Sequence, residues 1–162
     1  MKKSDILNQY APRMENLLLI LNDLQRRHPH NYLTAKDIAM AAGYLNTTLS
    51  AVYGVASYYS MFSLQPRGRH IIRICRSPVC DAAGLGGLLG ELQRILGITV
   101  GETTPDRLFT LETAECLGLC DAAPAMMVDD TVHGNLTAAG IEAVIRRYGR
   151  KKRRGGATHA VR

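Results

Sequence analysis

The chain carries four cysteines, and they fall as two pairs: Cys75 and Cys80 with four residues between them, and Cys116 and Cys120 with three. The pairs stand 35 residues apart and no fifth thiol competes for a partner. Four thiolates form a soft, all-sulfur donor set, which suits zinc or an iron-sulfur cluster and not the hard cations that prefer oxygen. Zinc would make the site a structural staple, whereas an iron-sulfur cluster would make it an electron carrier. Two disulfides are the remaining arrangement, at home in a small secreted domain. Met1 to Asn8 is polar and charged with no apolar stretch behind a basic start, so no secretory signal is expected. A cytoplasmic setting, where thiols stay reduced, is the expectation.

Two loops must be positioned for such a site, and the elements around them are legible. His70 to Cys75 reads as a strand that ends on the first cysteine, with Cys80 in the loop after it. Leu85 to Leu96 follows as an amphipathic helix closed by Gly97, and Leu108 to Leu111 as a second strand. Ala125 to Val128 and Thr131 to His133 form a hairpin around Asp129-Asp130, a weaker turn signal than Asp-Gly. Thr137 caps a last helix through Ile141, Val144 and Ile145. The order strand, helix, strand, hairpin, helix puts each cysteine pair beside a strand end. Gly118 permits a tight turn between Cys116 and Cys120 whose backbone N–H groups can face sulfur.

The first 65 residues read as helical. Pro12 opens a helix bearing Met14, Leu17, Leu18, Leu21 and Leu24. Thr34 with Asp37 approximates a capping box for a short helix that should stop at Gly43, and Asn46-Thr47-Thr48 caps a third with Leu49, Val52, Ala56 and Tyr59. The fold class expected is α+β: a helical domain over 1–65, an α/β domain over 66–148, and a flexible basic tail over 149–162.

The net charge of +6 is a property of that tail. Residues 146–162 hold eight Lys or Arg and no acid, while residues 1–145 hold 12 bases against 14 acids. Residues 34–52 have the look of a helix-turn-helix, which with a cysteine cluster makes a metal-sensing transcriptional regulator the alternative reading. From Asp37 to Pro66, however, there is no Lys or Arg. Phosphate neutralisation supplies most non-specific DNA affinity, so no specific nucleic-acid partner is expected. The longest apolar run, Leu17 to Leu21, is far short of the ~20 residues that cross a bilayer, so no direct membrane insertion is expected either.

Gly84, Gly86, Gly87 and Gly90 follow a strand and open a helix, but Leu89 stands where the dinucleotide fingerprint needs a small residue. These glycines are expected to allow close helix packing beside Cys80. The five histidines show no ligand-like spacing to the cysteines, although His133 is a candidate neighbour of the centre. Arg73 and Arg76, flanking the first cysteine, are candidate cations for it.

Several stretches besides the cysteines carry a resemblance. They are Val55-Ala56-Ser57-Tyr58-Tyr59-Ser60-Met61-Phe62, Gly101-Glu102-Thr103-Thr104-Pro105-Asp106, Glu115 to Asp121 with Ala123-Pro124, and His133-Gly134-Asn135-Leu136-Thr137. In this order they resemble the thioredoxin-like 2Fe-2S subunit of NADH:quinone oxidoreductase (respiratory complex I) and of related NAD(P)-linked formate dehydrogenases and hydrogenases, including electron-bifurcating ones. Tyr58 stands where a phenylalanine is common, and Leu119 where a smaller residue often sits. The resemblance implies a helical bundle followed by a thioredoxin-like α/β domain, and a 2Fe-2S cluster held by Cys75, Cys80, Cys116 and Cys120. It also implies a non-catalytic electron-transfer role beside a flavoprotein partner that binds FMN and NAD(H), and beside a larger iron-sulfur subunit. Any membrane association would be peripheral, at the inner membrane through the complex.

Overall fold

The computed structural model describes residues 3–150. The chain divides into two compact units, Met1–Arg69 and His70–Arg162.

The first unit is helical: α1 (Lys3–Leu7), α2 (Leu17–Arg26), α3 (Ala35–Tyr44) and α4 (Leu49–Tyr58). Ile20, Leu21 and Leu24 of α2 are fully buried and meet Ile38 and Ala41 of α3 and Val52 of α4 in one core. Thr34 caps α3 through a complete capping box, its hydroxyl accepting from the Asp37 N–H while the Asp37 carboxylate accepts from the Thr34 N–H. Asp37 is fully buried, and Lys3 reaches it at 2.6 Å. Buried Gln25 ties down the chain after α4, donating to the Met61 carbonyl and accepting from the Ser63 N–H.

Ile6 and Leu7 bury and carry α1, a helix that was not singled out from sequence. Three expectations for this unit need correction. Pro12 does not open α2; Met14–Asn16 is a 3-10 turn with Met14 exposed, and the helix starts at Leu17. Gly43 does not stop α3, which continues through Tyr44 until Asn46 takes a left-handed φ of 50°. Leu49 is exposed, so the buried stripe of α4 is only Val52 and Ala56. Tyr53, Tyr58 and Met61 are exposed as well.

The second unit is a four-stranded mixed sheet in the order β2-β1-β3-β4, made of β1 (His70–Cys75), β2 (Phe109–Ala114), β3 (Met126–Val128) and β4 (Thr131–His133). β1 runs parallel to β2, so that Cys75 lies opposite Ala114, and antiparallel to β3. Parallel neighbours need a crossover. It is provided by α5 (Pro78–Ala82) and α6 (Leu85–Leu96); the last helix is α7 (Ala138–Arg150). Leu85 and Leu92 of α6 and Ile141 and Ile145 of α7 bury in the same core as Ile72, Ile74, Leu111 and Met126.

Gly101 to Thr104 covers the free edge of β2. The Gly101 N–H donates to the Leu111 carbonyl, the Leu111 N–H to the Glu102 carbonyl, and Thr103 bridges Thr110. The Thr104 hydroxyl closes the loop by accepting from the N–H groups of Leu108 and Phe109. An unpaired edge is thus shielded. β2 runs to Ala114, beyond the Leu111 expected for it, because Glu112 to Ala114 keep the register with β1. The Asp129-Asp130 turn works where Asp-Gly was the stronger signal, since Asp129 takes a φ of 55° and its carboxylate accepts from the Ile71 N–H and faces His70 Nδ1 at 2.7 Å.

The α7 helix is capped by Thr137, whose hydroxyl accepts from the Gly140 N–H. It runs on through Arg150, and the basic arm expected from 149 onward lies, past that residue, outside the described residues. No helix among the described residues is long and apolar enough to cross a membrane.

Candidate metal centre

Cys75 is the last residue of β1 and is 2% exposed. Its N–H donates to the Ala125 carbonyl, which anchors it in the sheet. Cys80 does not lie in a loop as expected: it sits on α5, a short helix with Ser77 as N-cap and Pro78 in its first turn, and is 1% exposed. The Ser77 hydroxyl lies 3.4 Å from Cys75 Sγ and accepts the Cys80 N–H at 3.4 Å, so one buried side chain touches both cysteines of the first pair.

Cys116 follows the end of β2 and Cys120 begins a 3-10 turn, Cys120–Ala122; both are exposed. Gly118, with φ 72°, makes the expected turn between them, and its N–H donates to Cys116 Sγ at 3.4 Å. The loop is pinned from the hairpin side. The Asn135 N–H donates to the Ala122 carbonyl at 2.6 Å and the Leu136 N–H to the Pro124 carbonyl at 3.0 Å. Gly134 packs so closely that a Cβ there would stand 2.6 Å from Ala122 Cβ. The Ala123–Pro124 peptide is cis.

The two loops meet at Cys75. Its Sγ is 3.8 Å from the Glu115 carbonyl oxygen, and the Arg76 N–H donates to the Ala114 carbonyl. Burial pushes the Cys75 thiol up, but hydrogen bonds from the Ser77 hydroxyl, the Ser77 N–H, the Leu117 N–H and Cys80 outweigh it and hold it at about 7. The opposite holds at Cys120. The charge of Cys116 beside it pushes that thiol up, helped by a hydrogen bond with Cys116, by burial and by the charges of Cys80 and Cys75. The Cys120 thiol therefore feels the charges of the other three sulfurs.

The four sulfurs stand as two pairs and not as one tight group: among the described residues no three His, Cys, Asp or Glu side chains converge closely enough to hold a single metal ion. His133 lies on β4 with its Nε2 buried and unpartnered. Arg73 pairs with Glu112 at 3.1 Å and Arg76 with Glu115 at 3.9 Å. Both arginines thus face carboxylates of the neighbouring strand and its loop. The glycines of α6 do not serve close packing, since a Cβ at Gly84, Gly86, Gly87 or Gly90 would meet nothing within 4 Å.

Two residues of consequence were not singled out from sequence. Ser77 carried a signal, an N-cap residue directly before proline. Gly134 stands in one of the stretches that carry the resemblance, but its close approach to Ala122 left no local signal because the two are distant in the chain.

A helical unit followed in the chain by a mixed sheet, with a cysteine pair beginning at the end of each of its two parallel strands, defines an α+β protein with four thiols to offer a soft metal centre. The particular family follows from the whole chain: the family model for thioredoxin-like [2Fe-2S] ferredoxins matches residues 3–149, and the chain belongs to that family. The family's cofactor is a 2Fe-2S cluster, and thiolates are the donors that such a cluster takes. The chain is similar to a subunit of the NADH-quinone oxidoreductase of Pseudomonas aeruginosa, 47% identical over 64% of this chain and 63% of the relative. It is similar also to the like-named subunits of Rhizobium meliloti, 38% identical over 86% and 82%, and of Aquifex aeolicus, 32% identical over 91% of both chains. Among solved structures it is similar to a chain of an NAD+-reducing [NiFe]-hydrogenase, with a TM-score of 0.75 and 26% identity over 90% of this chain. The match spans under two thirds of the Pseudomonas relative and 24% of the hydrogenase chain.

Proposed function

We propose that this chain is the electron-transfer subunit of a multi-subunit NAD(P)-linked oxidoreductase, with Cys75, Cys80, Cys116 and Cys120 holding one 2Fe-2S cluster. The observation that carries the reading is the meeting of the two cysteine loops at Cys75, where Glu115 and Leu117 of the second loop face its sulfur. A bound cluster of this kind takes up and gives out one electron at a time. The chain's own groups bind it and set its surroundings. Backbone N–H groups of Ser77, Leu117 and Gly118 point at cysteine sulfur, and the burial of Cys75 and Cys80 keeps water from one side.

Nicotinamide exchanges two electrons as hydride, and a flavin is the usual converter to single electrons. No nucleotide motif lies in this chain, so the partner is an FMN-containing, NAD(H)-binding flavoprotein, with a larger iron-sulfur subunit beyond it. The names of the relatives, subunits of NADH-quinone oxidoreductase, and the NAD+-reducing hydrogenase support this placement. The chain works in the cytoplasm, peripheral to the inner membrane where its complex is so attached. The absence of Lys and Arg from Asp37 to Pro66 leaves the regulator alternative with no cation on α3 or α4 beyond Lys36 to neutralise phosphate.

Purification without oxygen tests the reading. Two irons and two sulfides per chain, with an EPR signal on reduction, are expected. Stoichiometric zinc without sulfide in protein from the native source would overturn it, and steady NADH oxidation by the flavin-free chain would overturn the division of labour.

A further inference from the structure

We propose that Ser77 is a positioning residue of the site, its hydroxyl accepting the Cys80 N–H while donating its own proton to Cys75 sulfur, so that one side chain both seats the first cysteine pair and raises the reduction potential. The inference rests on the four cysteines being the cluster ligands.

The geometry assigns Ser77 two tasks that a serine can perform at once, because a hydroxyl has one proton to give and lone pairs to accept with. Its oxygen lies 3.4 Å from Cys75 Sγ and 3.4 Å from the Cys80 nitrogen. As N-cap of α5, in extended conformation at φ −70° and ψ 153°, it starts the helix that carries Cys80. The residue is 8% exposed, so water cannot readily replace it as donor. With Cys75 ligating as a thiolate, the N–H of Cys80 occupies an acceptor position on the hydroxyl, and its proton is left to point at sulfur. A donor aimed at a ligand sulfur stabilises the reduced state, which carries the extra negative charge, more than the oxidised one, and so raises the potential. Arg73 and Arg76, the nearest cations in sequence, are instead paired with Glu112 and Glu115.

Capping and donation separate by substitution. Alanine removes the hydroxyl and is a poor N-cap; glycine removes the hydroxyl too but is a tolerable N-cap; threonine keeps both hydroxyl and cap. The full chain is reconstituted as wild type, Ser77→Ala, Ser77→Gly and Ser77→Thr, and each is followed by potentiometric titration read by EPR, by pulsed EPR in D2O for exchangeable protons near the reduced cluster, and by thermal melting. Ala and Gly are expected to lower the midpoint potential by equal amounts and to lose one exchangeable-proton coupling, although Ala lowers the melting temperature more than Gly does. Thr is expected to keep the wild-type potential and coupling. A potential shift that follows the melting temperature, large for Ala and negligible for Gly, would reduce Ser77 to a helix cap and overturn the proposal, as would wild-type couplings in all three variants. A wild-type chain that binds zinc and no sulfide would overturn the ligand assignment itself, and the proposal with it, before any variant is compared.

Discussion

The two cysteine pairs are built differently. Cys75 and Cys80 are buried, one locked into a strand and the other onto a capped helix, with Ser77 between them. Cys116 and Cys120 are exposed on a loop and a single 3-10 turn, held from behind by backbone contacts from Gly134, Asn135 and Leu136. Hydrogen bonding outweighs burial to hold the Cys75 thiol low, at about 7, whereas the charge of Cys116 pushes the Cys120 thiol up. One half of the site is thus made by the fold, and the other half is completed by whatever binds there. A ligand has to overcome the repulsion within the exposed pair, and positive metal charge is what does so.

The largest test of this contrast removes the sulfurs one at a time. Serine at Cys75 or Cys80 puts a hydroxyl into a packed core as well as deleting a ligand, so these variants are expected to lose the cluster and to melt at a lower temperature. Serine at Cys116 or Cys120 is expected to weaken or abolish the cluster while leaving the stability of the metal-free chain within about 0.5 kcal/mol of wild type, as surface substitutions do. Iron and sulfide per chain, with calorimetry on the metal-free forms, read both effects. Equal destabilisation by all four would show that the pairs are not built differently.

Gly134 tests the support of the exposed pair. A methyl group there meets Ala122 Cβ at 2.6 Å and its carbonyl oxygen at 2.8 Å, and Ala122 ends the turn that Cys120 begins. Overpacking of this kind costs about 1–3 kcal/mol. Gly134→Ala is therefore expected to lower the melting temperature and the cluster content together, although residue 134 is no ligand. Unchanged cluster content would mean that the second loop is not positioned from the hairpin.

Much of this arrangement is readable from the residues alone. The strand His70–Cys75, the helix Leu85–Leu96 and the hairpin are visible because each satisfies a simple period and ends on a marked residue, Gly97 at φ 66° among them. The cysteine pairs stand out because nothing else in the chain has sulfur chemistry of that kind to offer. What escapes is shorter than a period or depends on distant neighbours. The five-residue α5 shows no repeating stripe, although Ser77-Pro78 announces its start. α1 rests on only two apolar side chains, Ile6 and Leu7. Gly43 has helical geometry because α3 packs on through Tyr44, and the closeness of Gly134 to Ala122 is tertiary and leaves no local trace.

A reference outside the cysteine loops sharpens the contrast. Asp37 is fully buried in the helical unit; burial pushes its carboxyl up, but hydrogen bonds from Lys3 and Thr34 outweigh this and hold it below its ordinary value. A carboxylate so lowered lends stability above the unfolded pKa of about 3.9 and loses it as pH falls through the native value. Asp37→Asn is expected to cost about 1 kcal/mol at neutral pH, as loss of a charged capping partner does, and to flatten the acid limb of the stability curve below about pH 4. Fluorescence-monitored unfolding against pH checks it. Cluster content at neutral pH should not change, and a loss there would tie the helical unit to the site in a way the contrast between the pairs does not require.

The smallest effect is expected at Gly90, inside α6, just beyond the held pair. A Cβ at that position meets nothing within 4 Å, so alanine adds no clash. Glycine inside a helix costs about 0.5–1 kcal/mol relative to alanine because the unfolded chain loses more freedom on folding. Gly90→Ala is therefore expected to raise stability by that amount, measured as a higher denaturation midpoint at constant m-value. If the first pair owes its geometry to β1, Ser77 and the cap of α5, stiffening α6 leaves the cluster's EPR spectrum and potential unchanged. A shifted spectrum in a more stable protein would show that α6 must yield when the cluster is bound, and would make the buried half of the site less rigid than its hydrogen bonds imply.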